Sequence, residues 1–344
     1  MRRVLIKSAN TVIVEETGDL LPGPGEVCVK VAYCGICGSD VHAFKGKHPF
    51  ISLPATPGHE FSGEISSVGA GVTNLMLGDR IVCEPNLVCG TCFNCRTGRY
   101  NICDNLRVVG CQGEGAMADY ILLPEGKAVH IPDKLSLRNA VFVEPLAVGV
   151  HAVRRAGDLF GKNVVVFGAG TIGLTVVLCA KLAGAKRITV VDLVAKRLAL
   201  SKKLGATDTV NAAGENAAER ILSKKTFEGV DIVFECVGVE KSIRDAMTVV
   251  RKGGKVIVTG VFGSETNVKM ADLQDREMEL IGTIMYVRRD IIDAIDLLAD
   301  GICDADDFIT KEFPLSGAMK AFTEAENIEN NIKVIFQLNP ESRK

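Results

Sequence analysis

The chain has 344 residues, with 40 Lys plus Arg against 42 Asp plus Glu, so it lacks the global basic field that attracts nucleic acid. Its 47% hydrophobic and 24% charged residues exclude a disordered polymer, and its length suits two globular domains of roughly 100–200 residues each. No apolar run approaches the ~18 residues of a membrane span, and the apolar stretch Val4–Ile6 falls short of the roughly 7–15 residues of a secretory signal. The expected location is cytoplasmic. There, twelve cysteines read as metal ligands or buried thiols rather than disulfides.

Residues 1–145 carry short β-rich runs broken by Gly, Pro and Cys: Thr11–Glu16, Glu26–Tyr33, Glu60–Val68 and Arg80–Glu84. No long helical period precedes about Leu137. From about Glu144 the texture changes to alternation. Strands are predicted at Asn163–Phe167, Arg187–Val191, Thr207–Val210, Val230–Glu235, Lys255–Thr259 and Glu279–Ile284. Helices are predicted between them at Thr171–Ala183, Ala195–Leu204, Ala217–Lys224, Lys241–Val250 and Met270–Arg276. Such alternation predicts an α/β, doubly wound, six-stranded parallel sheet, the Rossmann arrangement. The tail offers a helix (Asp290–Ala299), a loop, a second helix (Leu315–Glu326) and a last strand (Lys333–Gln337). It is too short for its own core and is expected to pack on the β-rich zone.

Gly168-Ala169-Gly170-Thr171-Ile172-Gly173 follows a strand and opens a helix. The first Gly permits the tight turn, the second lets backbone approach a pyrophosphate, and the third lets helix and sheet pack closely. The phosphates then face the positive end of the helix. Asp192 stands at the end of the next strand, placed to accept hydrogen bonds from the adenosine ribose and to repel a 2′-phosphate. No Arg directly follows it, so NAD is favoured over NADP. Arg197 fits either a cover for the adenine or a solvated helix charge.

Cys89, Cys92, Cys95 and Cys103 lie in one loop with x2, x2 and x7 spacing. Four thiols so spaced suit a closed tetrahedral zinc site, which is structural because no coordination position stays open. Iron–sulfur runs have different spacings. A second set is mixed. Cys34-Gly35-Ile36-Cys37-Gly38-Ser39-Asp40-Val41-His42 is followed by Gly58-His59-Glu60, and Glu144 stands before Pro145. A Cys, a His and carboxylates are the donor types of an open, catalytic zinc. Alone, Cys34 and Cys37 also fit a redox pair or coincidence.

Taken together and in order, these motifs resemble the zinc-dependent medium-chain alcohol and polyol dehydrogenases, closest to the sorbitol-dehydrogenase-like branch. The resemblance spans essentially the whole chain. It implies a β-rich, GroES-like catalytic domain from residues 1–145 and 287–344, and an NAD-binding domain from 146–286. Carried over by position, it makes Cys37, His59 and Glu60 ligands of a catalytic zinc, with Glu144 in direct or water-mediated contact and Cys34 a neighbour. Asp40 would orient the His59 ring, and Ser39 and His42 would relay the proton. Val237, Gly260 and Val261 would join the cofactor contacts, and Tyr286 would line the substrate pocket. Met285 and Ala43 depart from the residues that sorbitol enzymes carry there, which puts sorbitol itself in doubt.

The implied reaction is reversible, NAD-dependent oxidation of a secondary alcohol, such as a polyol or sugar alcohol, to a ketone. It would need two zinc ions per chain and a cleft between the domains, in a homodimer or homotetramer with neither nucleic-acid nor membrane partners. Threonine-type amino alcohols, 2,3-butanediol and phosphorylated polyols are alternative substrates. A non-catalytic NAD-binding relative and a zinc-ribbon nucleic-acid module are the readings from other classes; the metal-ligand set opposes the first, and near-neutral charge the second.

Overall fold

A computed structural model describes residues 1–223 and 229–339. The chain divides into two compact units, Met1–Glu144 with Val287–Lys344, and Pro145–Tyr286. In chain order the first unit opens with the hairpin β1 (Arg2–Ser8) and β2 (Thr11–Glu16). There follow β3 (Glu26–Gly35), helix α1 (Gly38–Phe44), β4 (Glu60–Val68), β5 (Arg80–Cys83) and the short pair β6 (Asn86–Leu87) and β7 (Arg107–Val108), with helix α2 (Phe93–Arg96) between them. Strands β8 (Tyr120–Pro124) and β9 (Ala128–His130) and helix α3 (Leu137–Ala140) complete this part, and helix α4 (Val143–Ala156) begins in it and continues into the second unit. Neither α1 nor α4 is among the helices predicted from the sequence.

The second unit alternates strand and helix. It runs β10 (Asn163–Phe167), α5 (Thr171–Leu182), β11 (Arg187–Asp192), α6 (Ala195–Lys203), β12 (Asp208–Asn211) and α7 (Ala217–Ser223). It continues with β13 (Val230–Glu235), α8 (Glu240–Val249), β14 (Val250–Val258), α9 (Met270–Asp275) and β15 (Glu279–Gly282). All neighbours pair in parallel, in the order β12-β11-β10-β13-β14-β15. Strand order reverses beside β10, which is where a doubly wound sheet opens its ligand crevice. Central strands are buried on both faces, so Val164, Val166, Val190, Val233 and Phe234 read as continuous apolar runs.

Two boundaries among the described residues of this unit differ from expectation by more than one residue. Strand β14 begins at Val250 rather than Lys255, because Gly253 and Gly254 continue it instead of breaking it. A Cβ at Gly254 would stand 2.9 Å from the Asp231 carbonyl, so the close pairing with β13 admits glycine there. Strand β15 stops at Gly282, before Ile284. Lys224, the expected end of α7, lies outside the described residues.

The tail supplies α10 (Arg288–Ala299), β16 (Ile309–Pro314), α11 (Ala318–Ala325) and β17 (Lys333–Gln337). Strand β16 occupies what reads as a loop, and Leu315–Gly317 is a separate 3-10 turn before α11. The tail joins the first unit's sheet. Strand β17 pairs antiparallel with β3, setting Ile335 opposite Gly35, and β16 runs parallel to β17 at the sheet's edge. Phe336, Phe322 and Leu315 enter one core with Val27, Val29, Phe44 and Phe61, and the Phe44 and Phe322 rings lie 5.3 Å apart. Among the described residues no helix is long and apolar enough to cross a membrane.

Candidate functional site

Strand β3 ends at Gly35 and the chain turns into α1, whose N-cap is Cys37. Opposite, β4 begins at Glu60, paired in register with Gly35. The sheet thereby brings residues 37, 59 and 60 together. One donor atom each from Cys37, His59 and Glu60 lies within 4.8 Å of the others. Gly35 makes room for this: a Cβ there would fall 2.2 Å from Glu60 Oε2. His59 is buried and its Nδ1 has no hydrogen-bond partner. A sulfur, an imidazole nitrogen and a carboxylate converging on one point suit zinc in an open site.

Charges are concentrated here. Lys333 Nζ, on β17, donates to both Glu60 oxygens at 2.7 Å and to the Ile36 carbonyl at 3.1 Å. Burial disfavours the Lys333 ammonium, but Glu60 first, then Cys37 and Glu144, more than offset this and raise its pKa above the ordinary value. For His59, too, burial opposes the charged form. Cys37, hydrogen bonding with Cys111, and Asp40 outweigh it and hold the imidazole well above its usual range.

Neither Lys333 nor Cys111 is marked by the sequence. Lysines are rarely buried, and only the β17–β3 pairing brings residue 333 to the site.

Asp40 differs from expectation. Its Oδ2 accepts the Cys37 N–H at 2.8 Å and its Oδ1 has no partner, so no hydrogen bond joins it to the His59 ring. Asp40 is the third residue of α1, from which a carboxylate naturally reaches back to the N-cap amide. Cys34 is fully buried beside the cluster and outside it. Glu144 is buried in the first turn of α4; it contributes to the field at Lys333 without joining the three-residue cluster.

Ser39 Oγ is buried without a hydrogen-bond partner, and His42 stands exposed one helical turn along α1. Tyr286 is fully buried, and Met285 before it has a φ of 49°, a left-handed conformation uncommon for a non-glycine residue.

The four-cysteine loop has the geometry of a metal knuckle. Cys89 Sγ lies 3.5 Å from Cys103 Sγ and 3.9 Å from Cys95 Sγ, and Cys92 Sγ lies 4.0 Å from Cys103 Sγ. Zn–S bonds of 2.3 Å in a tetrahedron set sulfurs about 3.8 Å apart, so the residues fit the ion. Backbone N–H groups of Cys92, Cys95 and Cys89 point at the sulfurs of Cys89, Cys92 and Cys103 at 3.3–3.4 Å. Backbone hydrogen bonds from Thr91 and Cys92 hold the Cys89 thiol down at about 6, favouring the ligating thiolate. We expect Cys95→Ser to lower the thermal transition by on the order of 10 °C and to alter the chemical step little. A turnover loss with unchanged melting would place the loop in catalysis instead.

In the second unit Gly168 has a φ of 91°, and a Cβ at Gly173 would fall 1.8 Å from the Gly168 carbonyl oxygen. Both positions require glycine. Helix α5 starts at Thr171 with Gly170 as its N-cap and no side-chain cap. Asp192 accepts the Ala169 N–H at 2.7 Å and the Val194 N–H at 2.8 Å, one on each oxygen, which leaves each oxygen a further lone pair. Arg197 is half-buried beside Asp192, and a Cβ at Gly170 would lie 3.7 Å from its guanidinium. Val237 and Val261 are exposed at the ends of β13 and β14.

Residues 23–133 match the family described as alcohol dehydrogenase GroES-like domain, and residues 171–300 match that described as zinc-binding dehydrogenase. The chain is 39% identical to D-arabitol-phosphate dehydrogenase of Enterococcus avium over 324 residues, covering 92% of this chain and 91% of that protein. It is 36% identical to L-idonate 5-dehydrogenase of Vitis vinifera over 326 residues, covering 92% and 89%. A solved zinc-binding dehydrogenase from Sinorhizobium meliloti 1021, bound to NADP, matches with a TM-score of 0.90 and 33% identity over 98% of each chain. These matches span both units, so this chain belongs to the zinc-type medium-chain alcohol and polyol dehydrogenase family.

Proposed function

We propose that the chain catalyses reversible, NAD-dependent oxidation of a secondary alcohol, a polyol or related sugar alcohol, to a ketone. The observation that carries this reading is the convergence of Cys37, His59 and Glu60 in a chain that also holds the glycine turn Gly168–Gly173. When bound, zinc supplies the Lewis acidity that lowers the pKa of a hydroxyl, and NAD supplies the hydride acceptor. Cys37, His59 and Glu60 hold the ion, with Glu144 a further acid beside them. Ser39 Oγ, buried and without a partner, takes the hydroxyl proton, and exposed His42 on the same helix face passes it to solvent. Cys89, Cys92, Cys95 and Cys103 hold the second, structural ion. Tyr286 helps to select the substrate.

Cofactor choice rests on Asp192, whose spare lone pairs accept ribose hydroxyls and whose charge repels a 2′-phosphate. Asp192→Ala is expected to weaken NAD by about tenfold and to move the NADP-to-NAD ratio toward NADP, because Arg197 then faces the vacated place. An unmoved ratio in paired titrations would remove Asp192 from the ribose.

The founding test is zinc content with a substrate screen. About two zinc ions per chain, and NADH formation on pentitols, hexitols or their phosphates, support the reading. One zinc and no turnover support an inert relative, and turnover only on threonine or 2,3-butanediol supports the narrower alternatives. The D-arabitol-phosphate relative makes the phosphorylated polyols the informative arm. Four cysteines at metal-ligand spacing fit a cytoplasmic enzyme. Exposed Glu279 and Leu280 on edge strand β15 offer an edge for assembly into a homodimer or homotetramer.

A further inference from the structure

Three loops meet at the carboxyl ends of β10, β13 and β14, and one buried acid bonds to the latter two. Glu235, the last residue of β13, is fully buried. Its Oε1 accepts the N–H groups of Val237 and Gly238 at 2.9 Å and the Ser242 hydroxyl at 2.7 Å. Its own carbonyl accepts the N–H groups of Thr259 and Gly260 at 2.8 and 2.9 Å. The two loops are in such close contact that a Cβ at Gly260 would lie 2.4 Å from Gly238 N and 2.6 Å from Glu235 Oε2. A Cβ at Gly238 would lie 2.4 Å from the Val261 carbonyl oxygen, and one at Gly168 would lie 2.8 Å from Val237. Glu235 Oε2 is buried with no hydrogen-bond partner.

The sheet order says which half of a dinucleotide these loops serve. The pyrophosphate belongs on the turn after β10, and the adenosine ribose on Asp192 at the end of β11. Strand β10 is flanked by β11 on one side and by β13 on the other. A ligand anchored on β10 and extended over β11 therefore runs its other half over β13 and β14. There the exposed side chains of Val237 and Val261 offer an apolar edge to a flat ring.

We propose that Glu235 is the positioning residue for the nicotinamide half of the cofactor. Its carboxylate fixes the Val237–Gly238 turn, and its Oε2 abuts Gly260 of the turn packed against it, the counterpart on β13 of the ribose-binding acid on β11. Being fully buried, it touches no ligand itself. The inference rests on the dinucleotide reading above.

The test compares NADH with ADP-ribose, which keeps the adenosine and pyrophosphate but lacks the nicotinamide. Both are titrated into the zinc-loaded chain. In Glu235→Ala the Kd for NADH is expected to rise about tenfold while that for ADP-ribose stays within about twofold. Glu235→Gln, whose amide oxygen can still accept the two N–H groups, falls between Ala and wild type. Equal weakening of the two ligands marks a merely structural role and overturns the proposal, as does no weakening of NADH. Should the Ala variant not fold, Ser242→Ala removes one donor to Oε1 and is expected to show the same NADH-selective loss at smaller size; its absence overturns the proposal. A wild-type chain that binds neither ligand would instead remove the dinucleotide reading beneath it.

Discussion

Cys37→Ser is expected to lower kcat/KM by on the order of a thousandfold and to leave NADH affinity within about twofold. Serine keeps the size of the side chain and suits the N-cap of α1, so the fold has little reason to change. What it loses is the thiolate. A serine hydroxyl at neutral pH is protonated and binds zinc poorly, so one of three converging donors is lost. Zinc content should fall toward one per chain as turnover disappears. The dinucleotide turn belongs to the other unit, so NADH titration reports whether the loss is confined to the metal centre. Full zinc occupancy together with wild-type turnover would take Cys37 out of the site.

Lys333→Met should have the largest effect on stability. Lys333 and Glu60 are exposed by only 4% and 2%, and the ammonium reaches both carboxylate oxygens. Removing it leaves a buried carboxylate beside Cys37 without its cation. Breaking a buried pair by deleting one partner costs about 3–5 kcal/mol. Chelator-treated protein should show that loss in urea denaturation. Zinc-loaded protein should show less, because the ion takes over the neutralisation of Glu60. An equal loss in both states would mean that Lys333 and the metal do not share this carboxylate. The pH dependence has a defined sign. The folded-state pKa of Lys333 is raised, so its contribution is complete below the unfolded value of about 10.4 and is lost only as pH rises through the folded one.

The nucleotide-binding unit was legible because its signals are local. Short apolar runs such as Val164–Phe167 and Ile232–Phe234, set between helical stretches, read as buried strands, and Gly168–Gly173 has its strand before and its helix after. Strand β16 was not legible: Ile309–Pro314 alternates around Thr, Lys and Glu, lies at a sheet edge and ends in proline. The metal ligands could be named from donor type and family order, whereas their surroundings could not. Asp40 looks like a partner for His59 until the helix that starts at Gly38 turns its carboxylate back to the N-cap. Lys333 and Glu235 are invisible for a common reason. Each is a charged residue type on a strand, made consequential only by what the sheet sets beside it.

The pairing of β17 with β3 also imposes an order on biosynthesis. Glu60 leaves the ribosome long before its cation: 273 residues separate it from Lys333. The whole Pro145–Tyr286 unit is translated in that interval and can collapse on its own, as nascent domains commonly do. The centre around Glu60 must wait for β17 to be translated before its sheet closes, so metal loading there follows the synthesis of the intervening unit.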